Sequence, residues 1–280
     1  MGGMDTSVKV DGARIHYDVT GRGPVLLVAQ SGEGDADRTV DLVGHLAGRF
    51  TVVTYDRRGL SRSRPDDPAA PVSVRQHADD AAAVLRQVTD APALMLGLSL
   101  GAAIGLHLIA AHPGTVGTLV AHEPIAPRFL TAAEQATARA DLESVRRAHR
   151  EQGWRAAAAR VAAVLGIDPH AQETEPGVTQ FPFTEARAAN FEFFLANDLA
   201  AVLADDLELH DVPKAAHVIP AVGRTSPSDG FDYLAAQALA VHLETPARSF
   251  AGGHNGNLTH PRAFAEGVCE ALEIRTAARR

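Results

Sequence analysis

The sequence has a single cysteine, Cys269, among its 280 residues, which excludes an internal disulfide framework. It also lacks any apolar run of the roughly 20 residues that a membrane-spanning helix needs. Residues 1–5 carry neither a basic stretch nor an apolar stretch, so no secretory signal is predicted. These absences lead us to expect a cytoplasmic protein that does not bind membranes.

Basic residues are too few for a protein that binds polyanions. The chain has 26 lysines and arginines against 34 acidic residues, and its net charge is -8. This surplus of negative charge argues against nucleic acid or an anionic membrane as a partner. Metal and nucleotide motifs are lacking too: there is no HxxxH pair near a carboxylate, no paired CxxC and no GxxxxGK[ST] loop. We therefore expect no metal and no cofactor.

Hydrophobic residues make up 46% of the chain and form short apolar runs that alternate with stretches of helical periodicity. Such alternation is typical of a parallel sheet covered on both faces. The predicted fold class is therefore α/β, with a mostly parallel central sheet and helices on both faces. The predicted strands are a hairpin over 7–18 and the segments 24–29, 51–55, 93–98, 116–121, 217–222 and 247–250. The predicted helices are 36–48, 71–88 (begun by Pro71), 100–112, 230–243 and 261–273.

The pattern changes between residues 127 and 212, where no strand is predicted. Thr131 and Glu134 have the spacing of a capping box, and one long helical stretch is expected to follow them to about Leu165. A second helical stretch is predicted over 184–209. We interpret 127–212 as a helical cap inserted into a core domain that is formed by residues 1–126 and 213–280.

The segment Gly97-Leu98-Ser99-Leu100-Gly101 lies between a predicted strand and a predicted helix. A serine at such a tight turn needs small neighbours, because the backbone there is strained and crowded. The turn would expose the hydroxyl of Ser99 and leave the N–H of Leu100 at a helix N-terminus. Such an N–H can stabilise a developing oxyanion.

Three segments together resemble the α/β-hydrolase fold superfamily: residues 55–63 (YDRRGLSRS) after a strand, the GLSLG turn at 97–101, and Gly252-Gly253-His254 before the last helix. The resemblance covers about 8–126 and 213–273. It implies that Ser99 is the nucleophile and that His254 is the base that accepts its proton. His122 is expected to point away from this site, because side chains alternate along a strand.

The resemblance leaves two candidates for the acid of a catalytic triad. Most relatives carry an aspartate shortly after the strand that here ends at Val222, but Thr225 and Ser226 occupy that place, and Asp229 comes later. Some relatives place the acid after the strand that follows the serine helix, where this chain has Glu123. We favour Glu123 for the role of orienting His254, with Asp229 as the alternative.

The resemblance also implies an oxyanion hole and a pocket. The oxyanion donors would be the N–H of Leu100 and that of Glu33, or of Gly32 if the loop is shifted by one residue. Phenylalanines of the predicted cap either form its own small core or line an apolar pocket above Ser99. In the second interpretation the substrate-binding residues are Phe181, Phe183, Phe191 and Phe194.

The sequence therefore predicts a cofactor-independent serine hydrolase that cleaves a carboxylic ester or lactone of a hydrophobic small molecule through an acyl-enzyme. The alternative is a protein of the same fold without this activity: a ligand-binding receptor, a C–C hydrolase, or a cofactor-free peroxidase or cyclase. The composition is typical of a bacterial protein. A homodimer is compatible with the sequence.

Overall fold

A computed structural model describes residues 6–168 and 171–277, with side chains as far as Leu272. The N-terminal residues 1–5, where no secretory signal is predicted, lie outside it. Nine strands form one sheet in the described chain. They are β1 (Ser7–Val10), β2 (Ala13–Gly21), β3 (Val25–Ala29), β4 (Thr51–Tyr55), β5 (Arg64–Pro65), β6 (Ala93–Leu98), β7 (Val116–His122), β8 (Val218–Gly223) and β9 (Arg248–Phe250).

The strand order is β1-β2-β4-β3-β6-β7-β8-β9, and β5 pairs with β2. The N-terminal hairpin is antiparallel, and β2 also runs antiparallel to β4. From β4 to β9 every neighbouring pair is parallel. The predicted α/β fold with a mostly parallel sheet is therefore confirmed.

Ten α-helices accompany this sheet in the described residues. They are α1 (Val40–Leu46), α2 (Val74–Val88), α3 (Leu100–Ala111), α4 (Ala132–Gln152), α5 (Trp154–Val164), α6 (Glu185–Phe193), α7 (Leu199–Ala204), α8 (Phe231–His242), α9 (Gly256–Thr259) and α10 (Pro261–Ala277). Within the described chain, none of these helices combines the length and the apolarity that crossing a membrane requires.

The sheet separates two hydrophobic clusters because successive side chains of a strand point to opposite faces. In β3, Leu26 and Val28 belong to one cluster with residues of α1 and α10. Leu27 and Ala29 belong to the other, with residues of α2, α3 and α8. Each fully buried aliphatic side chain of this kind contributes about 1.5–3 kcal/mol, so both faces hold the sheet in place.

The predicted start of α2 at Pro71 is wrong. The helix begins at Val74, after Ser73, whose hydroxyl accepts a hydrogen bond from the N–H of Gln76. A serine at this position satisfies one of the N–H groups that the first helical turn leaves unpaired. The cap residue, not the proline, therefore sets the start of the helix.

Residues 127–211, which make up most of the chain between β7 and β8, hold α4 to α7, and we call them the inserted helical segment. The capping box of Thr131 and Glu134 is present. The single long helix predicted to Leu165 is wrong, because Gly153 adopts a φ of 84° and separates α4 from α5. The second predicted stretch is also interrupted: a π-helical turn, Phe194–Asp198, joins α6 to α7, and α7 ends at Ala204.

Candidate active site

Ser99 lies at the turn between β6 and α3, and its backbone is held in an unusual conformation (φ 56°, ψ -113°). The two flanking glycines make this turn feasible. A Cβ on Gly97 would lie 2.6 Å from the Cα of Ala102, and one on Gly101 would lie 2.1 Å from the carbonyl oxygen of Ala29. No side chain fits at either position, so the close packing of strand and helix depends on glycine.

The Ser99 side chain opens into a cavity of about 190 Å³ at the carboxyl ends of the strands. His254 lines the same cavity, and both residues are more than nine-tenths buried. No hydrogen bond joins the serine hydroxyl to the imidazole in this structure. Catalytic hydrogen bonds of ligand-free enzymes are often long and shorten only when substrate binds, so the arrangement is compatible with proton transfer between the two groups.

The loop after β3 forms one wall of the cavity, and Gly32 and Glu33 both line it. Gly32 has a φ of 29°, and neither of the two N–H groups is hydrogen-bonded within the described residues. The N–H of Leu100, the first residue of α3, precedes the helical hydrogen-bond ladder. The predicted oxyanion donors Leu100, Glu33 and Gly32 therefore all border the cavity that holds Ser99.

A buried ion pair ties this loop to the inserted helical segment. Arg57 donates hydrogen bonds to the carbonyl oxygens of Gln30, at 3.4 Å, and of Gly32. It also contacts Asp198 at 2.6 Å, and the other oxygen of that carboxylate lies 3.0 Å from Nε2 of His77. Burial alone would raise the pKa of Asp198, but Arg57 and His77 hold it below its ordinary value. The charged pair thus fixes the π-helical turn against the oxyanion loop.

His254 follows β9 in a glycine-containing turn, and its Nδ1 lies between two carboxylates. Oε2 of Glu123 is 2.9 Å away, and Oδ2 of Asp232 is 2.6 Å away. All three residues are buried. Because Nδ1 faces both acids, the other ring nitrogen, Nε2, remains for proton exchange with a hydroxyl in the cavity.

Glu123 occupies the end of β7 with a φ of 45°, which is rare for a residue other than glycine. Its Oε1 accepts a hydrogen bond of 2.8 Å from the N–H of Gly223, the last residue of β8. The carboxylate is therefore held at both oxygens, by a backbone N–H on one side and an imidazole on the other. A strained backbone at a buried acid is typical of a functional position.

Asp232 was not predicted from the sequence. The alternative acid, Asp229, is exposed and does not reach His254, whereas Asp232 lies three residues later in the first turn of α8. An acid in the first turn of a helix is common, because it interacts favourably with the helix dipole. The sequence therefore carried no signal that distinguished Asp232 from an ordinary first-turn acid.

Glu123 and His254 alter each other's pKa values, and Asp232 adds to the effect on His254. Burial alone would raise the pKa of Glu123, but the hydrogen bond from His254 and the charge of that imidazolium lower it to about 2. Burial alone would lower the pKa of His254, but hydrogen bonds and charges from Asp232 and Glu123 raise it to about 10. The two acids thus favour the imidazolium, the form that follows proton transfer from serine.

His122 lies on the other side of the strand end. Its ring packs edge-on against Phe250 and Phe264, with centroids 6.1 and 5.2 Å away, and neither nitrogen has a hydrogen-bond partner in the described chain. Burial lowers the pKa of His122 to about 4, so it is neutral near pH 7. It therefore packs here as a neutral ring beside Glu123.

The apolar part of the cavity wall comes mainly from the inserted helical segment. Of the four phenylalanines predicted to bind substrate, Phe191 and Phe194 line the cavity. Phe183 is 63% exposed and packs against Trp154, and Phe181 lies beneath the guanidinium of Arg38. Other apolar lining residues are Leu100, Ile125, Leu142, Val145, Ala158, Val161, Ala162, Val164, Leu165, Ile167, Leu199, Val202, Phe231 and Leu258.

Glu123, Asp232 and His254 are the one set of potential metal ligands in the described chain whose ligand atoms lie within 4.8 Å of one another. Two atoms bound to one tetrahedral ion are separated by about 3.3 Å. The observed separations of 2.6 and 2.9 Å from Nδ1 are hydrogen-bond lengths. The geometry therefore fits a shared proton better than a metal ion.

Comparison with known proteins places this chain in a family. The model for the alpha/beta hydrolase fold matches residues 24–163, half of the chain. The chain belongs to the alpha/beta hydrolase fold family. An uncharacterized hydrolase of Bacillus subtilis, YraK, is 33% identical over 272 residues, which cover 95% of each chain. A zearalenone hydrolase of Cladophialophora bantiana is 26% identical over 277 residues and also covers 95% of each chain.

Solved structures of this family have the same fold. A thermophilic esterase from Thermogutta terrifontis aligns with a TM-score of 0.71 and 17% identity, over 96% of this chain and 98% of its own. An enol-lactonase from Burkholderia xenovorans LB400 aligns with a TM-score of 0.65 and 21% identity, over 96% and 100%. The alpha/beta hydrolase fold that the sequence segments predicted is thus confirmed.

Proposed function

We propose that this protein is a cofactor-independent serine hydrolase that cleaves carboxylic esters or lactones of hydrophobic small molecules. The observation that carries the proposal is the shared cavity of Ser99 and His254, with His254 hydrogen-bonded to buried Glu123. The relatives support the reaction class, because they include a zearalenone hydrolase, an esterase and an enol-lactonase.

The first half of the reaction would acylate Ser99. Its oxygen attacks the substrate carbonyl carbon while Nε2 of His254 accepts the hydroxyl proton. The negative charge on the carbonyl oxygen is stabilised by the N–H of Leu100 together with that of Glu33 or Gly32. The carbon–oxygen bond of the ester then breaks, and the imidazolium returns the proton to the leaving alkoxide.

In the second half, water would release the acyl group. His254 removes a proton from water, the resulting hydroxide attacks the acyl carbonyl, and Ser99 leaves with the proton from Nε2. Glu123 holds the Nδ1–H tautomer of His254 and stabilises the imidazolium. Because Asp232 contacts the same Nδ1, we propose it as a second carboxylate in this role.

The inserted helical segment would act as a cap that binds the apolar part of the substrate. Its aliphatic side chains and the rings of Phe191 and Phe194 line the cavity. Burial of a hydrophobic acyl or alkoxy group against them contributes about 25 cal/mol per Å². A small polar ester would lack this contribution and would bind weakly.

Replacement of the proposed nucleophile tests this assignment. We expect Ser99→Ala to lower kcat/KM for aryl esters and aryl lactones by at least about a thousandfold, since it removes the nucleophile that the other groups assist. The exposed serine Ser228 provides a matched control, and Ser228→Ala should retain full turnover. Equal turnover by Ser99→Ala and the wild type would end the proposal.

A further inference from the structure

Arg38 lines the cavity beside the oxyanion loop, and its side chain is only 18% exposed. Its side chain forms no hydrogen bond with any residue that the structure describes, whereas its backbone N–H donates to the carbonyl oxygen of Asp35. Its Nε is buried without a hydrogen-bond partner, and its guanidinium lies over the ring of Phe181, 4.6 Å from the centroid. A guanidinium has five N–H donors and stays protonated in proteins, so this group has an unusually incomplete set of partners.

The nearest acid does not supply that partner, because another arginine occupies it. Nε and Nη2 of Arg187 both donate to Oε1 of Glu33, at 3.0 and 2.9 Å. Nε of Arg38 lies 3.7 Å from the same oxygen, beyond hydrogen-bond distance. Two guanidinium groups therefore share one carboxylate at the cavity wall, and Arg187 makes the hydrogen bonds.

The other acids near Arg38 are also engaged elsewhere. Asp35 accepts a hydrogen bond of 2.6 Å from the hydroxyl of Ser61, and a second from Asn190. Asp37 forms an ion pair with Arg62 at 3.4 Å. No carboxylate of the described residues is therefore hydrogen-bonded to Arg38.

The burial of Arg38 makes its lack of side-chain hydrogen-bond partners energetically important. Burial lowers the pKa of its guanidinium, although the Glu33 carboxylate opposes that effect. A charge removed from water without hydrogen bonds is costly unless a bound anion compensates it. Most of the remaining lining is apolar, so the cavity combines this cationic group with apolar side chains.

We propose that Arg38 binds a carboxylate of the substrate, so the natural ester or lactone carries an acid group in addition to the bond that is cleaved. This inference rests on the proposed hydrolase function and specifies its substrate class. A planar carboxylate matches the fork of N–H donors on a guanidinium, and such bidentate pairs are both strong and directional. The apolar part of the same substrate would lie against the inserted helical segment.

The test compares esters that differ only in one charge. An acyl series uses mono-p-nitrophenyl esters of adipic, pimelic and suberic acids. The neutral partner of each is the same p-nitrophenyl ester with its free carboxyl group converted to a methyl ester. An alcohol series compares 4-(carboxymethyl)phenyl butyrate with its methyl ester. A hydrogen bond to a charged group changes binding enough to give a preference of about ten- to a hundredfold in kcat/KM. We expect that preference for the acid in at least one series.

The variants identify the source of the preference. Arg38→Gln should bring the ratio of acid to neutral ester close to one, chiefly through KM. Arg38→Lys keeps the charge without the fork and should retain part of the ratio. Arg75 is an exposed arginine on α2, and Arg75→Gln should keep the wild-type ratio and rates.

A binding measurement separates failure of this inference from failure of the proposed function. Ser99→Ala protein is titrated calorimetrically with the acid and neutral members of each pair, with and without Arg38→Gln. If wild-type protein hydrolyses neutral esters in a Ser99-dependent manner but never prefers the acid, the inference is overturned and the hydrolase remains. If no ester is hydrolysed, the titration decides, and equal binding of acid and neutral ligands overturns it.

Discussion

The carboxyl edge of the sheet and the inserted helical segment position their residues by different means. At the sheet edge the backbone itself is constrained: Ser99 and Glu123 have positive φ, and Gly101 packs directly against β3. In the helical segment, Gly153 also has positive φ, but a Cβ there would meet nothing within 4 Å. The comparison indicates that backbone geometry holds the proposed catalytic residues, whereas side chains form the proposed substrate pocket.

Two glycine substitutions, one in each region, should show the largest difference, which is in the free energy of unfolding. Gly101→Ala places a methyl 2.1 Å from the carbonyl oxygen of Ala29, so α3 must move away from β3. We expect a loss of about 3 kcal/mol or more in the free energy of unfolding, with loss of turnover. The new methyl of Gly153→Ala meets no atom within 4 Å, so the cost should be only that of the backbone conformation (φ 84°, ψ 177°), about 2 kcal/mol, because residues other than glycine rarely adopt it. Urea denaturation measures both values, and equal costs would refute the contrast.

Substitution of Glu123 and of Asp229, the two acids predicted from the sequence, should show the next largest difference, which is in kcat/KM. Glu123→Gln removes the charge that stabilises the His254 imidazolium, and Asp232 remains beside Nδ1. We expect kcat/KM to fall by about a hundred- to a thousandfold, less than full loss of a triad acid. Asp229→Asn is the matched control and should change turnover less than twofold. A large defect in Asp229→Asn alone would show that the acid is misassigned.

Asp232→Asn should have the smallest and most specific effect, a shift in the pH profile of kcat/KM. Two carboxylates raise the pKa of His254 to about 10, and only its neutral form accepts the Ser99 proton. In the pH profile, kcat/KM should fall on the acid side as His254 is protonated. The midpoint of this acid limb should therefore lie well above the ordinary imidazole pKa of about 6.5. Asp232→Asn removes one stabilising charge, which lowers the pKa and moves the limb to lower pH.

The same experiment has a built-in control. Asp229→Asn leaves both contacts of Nδ1 intact, so its acid limb should coincide with that of the wild type. An unchanged limb in Asp232→Asn would mean that Asp232 does not act through His254. The direction of the shift also matters, because movement to higher pH would contradict the geometry.

Much of the site could be predicted because parallel strands end at one edge of the sheet. Ser99 and Glu123 each follow a strand that is recognisable as a short apolar run, and His254 follows the short last strand in a glycine-rich turn. Asp232 could not be predicted in this way, because it lies inside the first turn of a helix and approaches His254 only through tertiary packing.

The contents of the inserted helical segment were harder to predict for a related reason. Which face of a helix meets the cavity depends on where the helix is interrupted, and Gly153 and the π-helical turn at 194–198 both shift that phase. Phe191 in α6 and Phe194 at the start of the π-helical turn line the cavity, whereas Phe181 and Phe183 lie in the irregular chain before α6 and do not. Arg38 was missed because its lack of hydrogen-bond partners is visible only in three dimensions.

Covalent labelling tests the central claim most directly. An alkyl fluorophosphonate forms a phosphorus–oxygen bond with an activated serine and releases fluoride, and peptide mass spectrometry locates the adduct. The account predicts one adduct, on the peptide that contains Ser99, and its loss in Ser99→Ala. Wild-type protein that turns over esters without any label on Ser99, or with the label on another residue, would contradict it.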